Sequence, residues 1–210
     1  MGLVGSEMCI RDRVITGGGR VGKGALEVIA KTNIQKVSPK DFLIKDFNYP
    51  VYTQLDVKDY VSRDDNKSFD KSEFFNDPIG HSSTFMKYAK VADLYVACHY
   101  WDNRSPFIFT RKDMLHPNWK ISVVADVSCD IDGPVACTLR PSTIINPFYG
   151  YDPHSQKEVD FQYEKSIGVM AVDNLPCELP KDASTEFGKM FIDHVFEPLT
   201  GNDPENIIYR

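Results

Sequence analysis

The sequence has no apolar run close to the roughly 18 residues needed to cross a membrane, so we expect no membrane association. Lysine and arginine number 24 against 30 aspartates and glutamates, and the formal net charge is −6. We expect no nucleic-acid partner, because a phosphate backbone is recognised by clustered lysine and arginine. The sequence also shows no internal repeat and no low-complexity segment.

Cysteine is scarce, and no Cys-x-x-Cys pair occurs. The five cysteines are Cys9, Cys98, Cys129, Cys137 and Cys177. An odd number without such a pair is typical of a reducing compartment, so we expect a cytoplasmic protein. Cys98, Cys129 and His99 lack the spacing of a regular metal-ligand set, and we expect no metal site.

The first thirteen residues differ in character from the rest of the chain. They carry mixed charge and lack the apolar core of a signal peptide. Residues 6–13 resemble the translation of a transposase adapter used in DNA library preparation. We therefore interpret residues 1–13 as a non-native tail, the alternative being a native tail without special features.

The remaining sequence alternates short β-branched or apolar runs with helical patterns. Strands are predicted at 14–16, 51–57, 94–98, 121–127 and 167–172, and helices at 26–31, 83–90, 110–115 and 184–199. Asp182 or Ser184 is expected to cap the last helix. Residues 62–78 are rich in Asp, Lys, Ser and Asn, which is typical of a surface insertion. The alternation predicts an α/β fold with a doubly wound parallel sheet of the Rossmann type.

A glycine-rich turn joins the first predicted strand to the first helix. Gly17, Gly19 and Gly22 have the Gly-x-Gly-x-x-Gly spacing of the dinucleotide fingerprint. In that fingerprint the first glycine allows a tight turn, the second admits the pyrophosphate, and the third permits close helix packing. Arg20 and Val21 would then lie at the helix N-terminus, which favours phosphates. The alternative is a purely structural glycine turn.

An acidic residue that binds the ribose hydroxyls is expected about 20 residues after the glycines. Residues 34–41 contain no acid at the end of a clear strand. Ser38 could donate a hydrogen bond to the ribose instead, and Lys36 or Lys40 would favour a 2′-phosphate. The residues alone therefore leave NAD and NADP open.

Four segments, in this order, resemble the lysine-forming saccharopine dehydrogenases, within the wider group that includes alanine dehydrogenase and transhydrogenase. They are Gly19–Ala25, Ala92–Tyr100, Val124–Asp130, and Val172–Pro176 followed by Leu179–Ser184. Three features depart from that family, of which the first is the missing ribose acid. Asn174 stands where the family usually has histidine, and the insertion between residues 45 and 80 is longer.

The resemblance implies an NAD(P)-dependent oxidoreductase that acts on a small-molecule amino-acid substrate, with saccharopine as the favoured substrate and NAD as the favoured cofactor. The alternatives are an alanine dehydrogenase-like enzyme and a non-catalytic nucleotide-sensing module. Together, the glycine turn and the resemblance assign the cofactor contacts to Gly17, Gly19, Arg20, Val21, Gly22, Tyr100, Val127, Val172, Asp173, Asn174 and Leu175.

In the resembled family the acid–base lysine and histidine, and most substrate-binding arginines, precede the glycine-rich turn. We therefore expect a fragment without catalytic residues, inactive alone. Residues 14–199 would form the dinucleotide-binding domain, and residues 200–210 the start of a truncated segment.

Several polar residues near the predicted strand ends allow two interpretations. His99 is either a proton shuttle or a histidine bonded to a nearby loop. Asp126 and Asp130 either meet the nicotinamide ribose or cap a turn. Arg104 and Arg140 either bind a substrate carboxylate or are solvated.

Overall fold

The computed structural model describes residues 12–201, 203, 204, 206 and 208. The chain divides into two compact units, the first ending at Asp173 and the second beginning at Asn174. The predicted domain over residues 14–199 therefore spans parts of both units. Of the predicted tail, residues 1–11 lie outside the described residues, whereas Asp12 and Arg13 begin the first strand.

The described part of the first unit contains ten strands and five α-helices. The strands are β1 Asp12–Thr16, β2 Gln35–Lys36, β3 Val51–Leu55, β4 Val61–Arg63, β5 His81–Ser83, β6 Leu94–Ala97, β7 Val123–Asp126, β8 Phe148–Asp152, β9 Lys157–Val159 and β10 Ile167–Met170. The helices are α1 Arg20–Ile29, α2 Pro39–Ile44, α3 Val57–Tyr60, α4 Lys71–Asn76 and α5 Met86–Ala89, with a 3-10 turn at Asp113–Leu115.

Eight strands form one sheet in the order β2-β3-β1-β6-β7-β10-β8-β9. The first six strands of this order, from β2 at the edge to β10, pair in parallel with their neighbours. The last two, β8 and β9, extend the sheet in antiparallel pairing. From β1 the chain moves first to β2 and β3 on one side and later to β6 on the other. The sheet is therefore mostly parallel and Rossmann-like, as predicted, and its strand order reverses beside β1, where ligands of such sheets bind.

The four central strands end in register. Thr16 of β1 pairs with Leu55 of β3 and with Ala97 of β6, and Ala97 pairs with Asp126 of β7. The residues that follow these four positions consequently leave the sheet side by side, at one edge.

Aromatic side chains fill the core beneath this edge. The ring centroid of Phe85 lies 4.8 Å from that of Tyr95 and 6.0 Å from that of Phe109. All three side chains are at least 98% buried. Rings at these separations gain attraction beyond the burial of their apolar surface, so this cluster anchors β6 and α5.

The segment between β1 and β3 contains more structure than the sequence predicted. The short strand β2 extends the sheet beyond β3, and α2 follows it. Ser38 caps α2 by accepting a hydrogen bond from the Asp41 N–H at 3.0 Å, and Pro39 begins the helix. Serine is favoured at the N-cap and proline in the first turn. These two residues therefore indicated the start of α2, whereas the apolar periodicity did not.

The prediction of a surface insertion at residues 62–78 was wrong in part. This segment contributes to an antiparallel pair, β4 and β5, and to helix α4. Phe74 of α4 is buried in the main core, where its ring lies 5.1 Å from that of His81. The many polar residues of this segment are typical of a surface loop, and they outweighed the single buried residue Phe74 in the prediction.

The other predicted elements form with altered bounds. The helix expected at 83–90 is shortened to α5, because Ser83 belongs to β5. The helix expected at 110–115 is a single 3-10 turn. The hairpin β8–β9 was not predicted, although Tyr149 and Tyr151 of β8 are buried.

The second unit is helical. It contains α6 Leu175–Glu178, α7 Pro180–Phe191, a π-helical segment Ile192–Phe196 and α8 Glu197–Thr200. The helix predicted from residue 184 thus begins at Pro180. Leu179 occupies the N-cap without a side-chain hydrogen bond, so the predicted caps Asp182 and Ser184 lie inside the helix.

No helix among residues 12–201 combines the length and the apolar character that a membrane span requires.

Candidate functional site

A cleft of about 790 Å³ opens where the four central strands end. Its walls come from the glycine turn after β1, the start of α3 after β3, and the loops after β6 and β7. Helix α4 and Pro106 complete it. The in-register strand ends explain why four segments that are distant in sequence meet here.

Two of the three fingerprint glycines are required by the fold itself. Gly17 has a φ of +100°, and a Cβ there would lie 2.2 Å from the carbonyl oxygen of Cys98. A Cβ on Gly22 would lie 2.2 Å from the carbonyl oxygen of Gly17. Gln54 of β3 donates to that same oxygen at 3.0 Å. The turn is therefore held against β3, β6 and α1, and the tight turn and close packing predicted for Gly17 and Gly22 match the geometry.

Gly19 differs from both, because no heavy atom lies within 4 Å of where its Cβ would be. It is the N-cap of α1, which has no side-chain cap and no acidic residue in its first turn. The first N–H groups of a helix lack intrahelical partners and carry a partial positive charge. Arg20 and Val21 line the cleft at this point. The N-terminus of α1 is thus open to an anion such as a pyrophosphate.

An acidic residue does stand at the end of a strand beside β1, but at Asp56 and outside residues 34–41, where the sequence spacing places it. Asp56 directly follows β3, the strand next to β1, and lines the cleft. The spacing rule assumes that the second strand of the fold follows the first helix directly, whereas here β2 and α2 intervene. The usual spacing therefore places the acid at residues 34–41, well before Asp56.

The Asp56 carboxylate is already engaged by the protein. It accepts from the Val57 N–H at 2.7 Å and from Lys71 Nζ at 2.8 Å and 3.1 Å. Burial opposes its ionisation, but these hydrogen bonds outweigh burial and hold the pKa of Asp56 below its ordinary value. Asp56 is therefore an oriented carboxylate, as a partner for two ribose hydroxyls must be.

A second hollow of about 990 Å³ adjoins the cleft on the β3 side, and Gly18, Asp56 and Lys71 line both. Its further charged lining residues are Lys23, Lys36, Lys58 and Asp59. Ser38 also lies here, but its hydroxyl caps α2. Carboxylates that suit hydroxyl groups and lysines that suit a phosphate therefore share this hollow.

The segment after β6 forms the opposite wall. Cys98 is buried, and burial raises the pKa of its thiol to about 11. His99 is 8% exposed, and burial lowers the pKa of its ring to about 4 despite the nearby negative charge of Asp126. The predicted cofactor contact Tyr100 is 86% exposed and lines the cleft.

The loop after β7 is built around Asp126, which is fully buried. Its carboxylate accepts from Ser128 N–H at 3.1 Å, Ser128 Oγ at 2.5 Å, Cys129 N–H at 3.2 Å and Thr138 Oγ1 at 2.6 Å. These four hydrogen bonds show that Asp126 organises the turn, which is the turn-capping interpretation of this residue. Val127, Ser128 and Asp130 line the cleft, and burial raises the pKa of Asp130, helped by Asp126.

Two predicted contacts of the first unit, Val172 and Asp173, do not line the cleft. Val172 is buried and bridges to Ser142, and the exposed Asp173 ends the first unit. Its charge helps burial to raise the pKa of Cys129 to about 11. Asn174 and Leu175 open the second unit, where Asn174 adopts a left-handed φ of 56° as the N-cap of α6.

The two arginines considered for substrate carboxylates have protein partners. Arg104 pairs with Asp102 at 2.9 Å, and Arg140 pairs with Glu158 at 2.6 Å. Neither arginine lines the cleft. In the described portion of the chain, no group of three His, Cys, Asp or Glu side chains is placed to hold a metal ion.

Comparison with known proteins relates this geometry to a family. No family model matches the chain. An α-aminoadipic semialdehyde synthase of Arabidopsis thaliana is 28% identical over 197 residues, which cover 83% of this chain and 18% of that protein. A saccharopine dehydrogenase [NAD(+), L-lysine-forming] of Schizosaccharomyces pombe is 30% identical over 101 residues, covering 48% of this chain and 26% of that protein.

The chain is similar in sequence to the saccharopine dehydrogenases. The resemblance inferred from four ordered motifs is thereby confirmed. The chain spans about a fifth of the length of the first curated relatives it matches, 18% and 22%. Among solved structures, an L-alanine dehydrogenase aligns with 89% of this chain and 45% of its own, at a TM-score of 0.44 and 16% identity.

Proposed function

We propose that the cleft of this saccharopine dehydrogenase homologue binds a nicotinamide dinucleotide, and that the chain serves an oxidoreductase acting on an amino acid. The observation that carries the proposal is the glycine turn at the switch point. Gly19 leaves open space beside an uncapped helix N-terminus, while Gly17 and Gly22 hold the turn in place. A pyrophosphate needs both the space and the free N–H groups.

The rest of the cleft fits the other parts of a dinucleotide. Asp56 lies at the end of β3, where the adenosine ribose of such a cofactor is bound. The loops after β6 and β7 lie on the other side of β1 and would flank the nicotinamide. The dinucleotide, when bound, would accept or supply hydride. The protein's part is to fix its position and to cover it from water.

We assign NAD as the cofactor, because a carboxylate at Asp56 binds the 2′-hydroxyl and repels a 2′-phosphate. The nearby Lys23 and Lys36 favour the alternative, NADP. The substrate we propose is saccharopine, which yields lysine and 2-oxoglutarate, on the strength of the homology. An alanine dehydrogenase-like activity is the alternative.

The test is calorimetric titration of the chain with NAD(H), NADP(H) and ADP-ribose. Replacing Gly19 by valine should abolish binding of all of them while the protein stays folded, because the new side chain occupies the space above the helix N-terminus and its Cβ has no protein atom within 4 Å. Gly24→Val is the matched control, since Gly24 is also open, lies on α1 and does not line the cleft. Equal affinity in the unmodified chain and a folded Gly19→Val variant would contradict the assignment.

A further inference from the structure

Two ring nitrogens in the wall of the cleft are buried without a hydrogen-bond partner among the described residues, His99 Nε2 and Trp101 Nε1. Both residues line the same cleft, after β6. Leaving a buried polar group unpaired costs free energy, so such groups are uncommon in folded proteins. His99 and Trp101 lie two positions apart in the chain and line one cleft. Their unpaired nitrogens point to an acceptor atom that a bound ligand supplies.

The hydrogen-bond network behind His99 fixes which nitrogen carries the proton. Thr16 Oγ1 lies 2.9 Å from the Tyr95 hydroxyl and 2.8 Å from His99 Nδ1, and Tyr95 lies 3.4 Å from the same Nδ1. Each hydroxyl has one hydrogen to donate. Both find an acceptor if Tyr95 donates to Thr16 and Thr16 donates to Nδ1. With the proton on Nδ1, one of the two hydroxyls would be left without an acceptor in this buried trio.

His99 is therefore neutral, with its proton on Nε2. In this state Nε2 donates a hydrogen bond and has no lone pair with which to accept a proton. The proton-shuttle interpretation of His99 is thereby disfavoured. Trp101 Nε1 is a donor in every state. Both unpaired groups are hydrogen-bond donors, so one kind of ligand atom, an acceptor, satisfies both.

We propose that His99 and Trp101 form a pair of neutral donors that binds a carbonyl or carboxylate oxygen of the molecule held in the cleft. The inference rests on the proposed function for the identity of that molecule. Two sources carry this chemistry there, the carboxamide of the nicotinamide and a carboxylate of the amino-acid substrate. A group without such an oxygen would leave both N–H groups unpaired and would be rejected.

The chain offers a matched control, because it contains only two tryptophans. Trp119 Nε1 donates to the Ile121 carbonyl oxygen at 2.8 Å and does not line the cleft. Phenylalanine keeps an aromatic ring at either position and removes the N–H. For Trp101 it also preserves the edge contact with Phe107, whose ring lies 5.7 Å away.

The experiment titrates NAD+, ADP-ribose, and 2-oxoglutarate in the presence of NAD+ against Trp101→Phe and Trp119→Phe. If the acceptor is the carboxamide, Trp101→Phe should weaken NAD+ about three- to tenfold, the worth of one neutral hydrogen bond, and leave ADP-ribose unchanged. If the acceptor is a substrate carboxylate, the loss should appear for 2-oxoglutarate alone. Equal affinities of the two variants for all three ligands would overturn the proposal.

A spectroscopic readout separates hydrogen bonding from a merely structural role. The two indole N–H signals in a ¹H–¹⁵N spectrum are assigned by their loss in Trp101→Phe and Trp119→Phe. Ligand should move the Trp101 signal downfield and leave the Trp119 signal in place. NAD+ binding with both signals unmoved by either ligand refutes the donor pair but not the dinucleotide site. Absence of NAD+ binding to the unmodified chain overturns both proposals.

Discussion

Burial of His99 makes the stability of the fold sensitive to mild acid. Its pKa falls from the ordinary 6.5 to about 4 in the folded state, because burial disfavours the charged ring. The unfolded chain therefore binds a proton at a higher pH than the folded chain does. Stability linked to His99 is complete above pH 6.5 and is lost as the pH falls from there towards 4.

The size of this effect follows from the two pKa values. One pKa unit corresponds to about 1.4 kcal/mol, so the full shift is worth about 3 kcal/mol. Between pH 7 and pH 5 most of it is already lost, and we expect His99 alone to lower the free energy of unfolding by about 2 kcal/mol over that interval.

The perturbation is His99→Asn, which removes the titrating ring and keeps an acceptor for the Thr16 hydroxyl. Urea unfolding of both proteins at pH 7 and pH 5, followed by circular dichroism, gives the pH dependence of each. The wild type should lose about 2 kcal/mol more than the variant. Titration of the exposed carboxylates is common to both proteins and cancels in the comparison. His154→Asn, at an exposed histidine, controls for the substitution itself. Parallel pH dependence in wild type and His99→Asn would refute the burial argument.

Two further substitutions test the site. Gly17→Ala should lower the free energy of unfolding by about 3 kcal/mol or more, because it combines a left-handed φ with a 2.2 Å approach to the Cys98 carbonyl oxygen. Gly18→Ala, beside it and in open space, should be nearly neutral, and similar urea midpoints for the two variants would contradict this account. The family resemblance predicts that Asp173→Ala weakens binding of NAD(H) to the chain without changing its melting temperature, although Asp173 does not line the cleft. Unchanged affinity, measured by calorimetry, would reduce Asp173 to a structural role.

Three of the parallel strands were predictable from sequence. Strands β6, β7 and β10 are nearly continuous apolar runs, which only a sheet covered by helices accommodates. The glycine turn was also predictable, because its spacing is imposed by contacts within the turn.

What escaped prediction has a common physical origin. Strand β2 has two exposed residues, and α2 has six with one buried side chain, so neither carries a periodic signal. These elements place Asp56 well beyond the usual spacing of a ribose-binding acid, so the spacing did not point to it although its strand was predicted. One donor to Asp126, the Thr138 hydroxyl, lies twelve positions along the chain and leaves no local pattern.

The close contacts at Gly17 and Gly22 give a reason other than cofactor binding for two of the three fingerprint glycines. Packing alone selects glycine at these two positions, since each Cβ would strike a backbone oxygen. A descendant that lost its cofactor would keep both glycines for as long as it kept the fold. Gly19 is under no such packing constraint and would be free to drift. Among homologues of this chain, the residue at the middle position is therefore the one that separates proteins still binding a dinucleotide from those that retain only its scaffold.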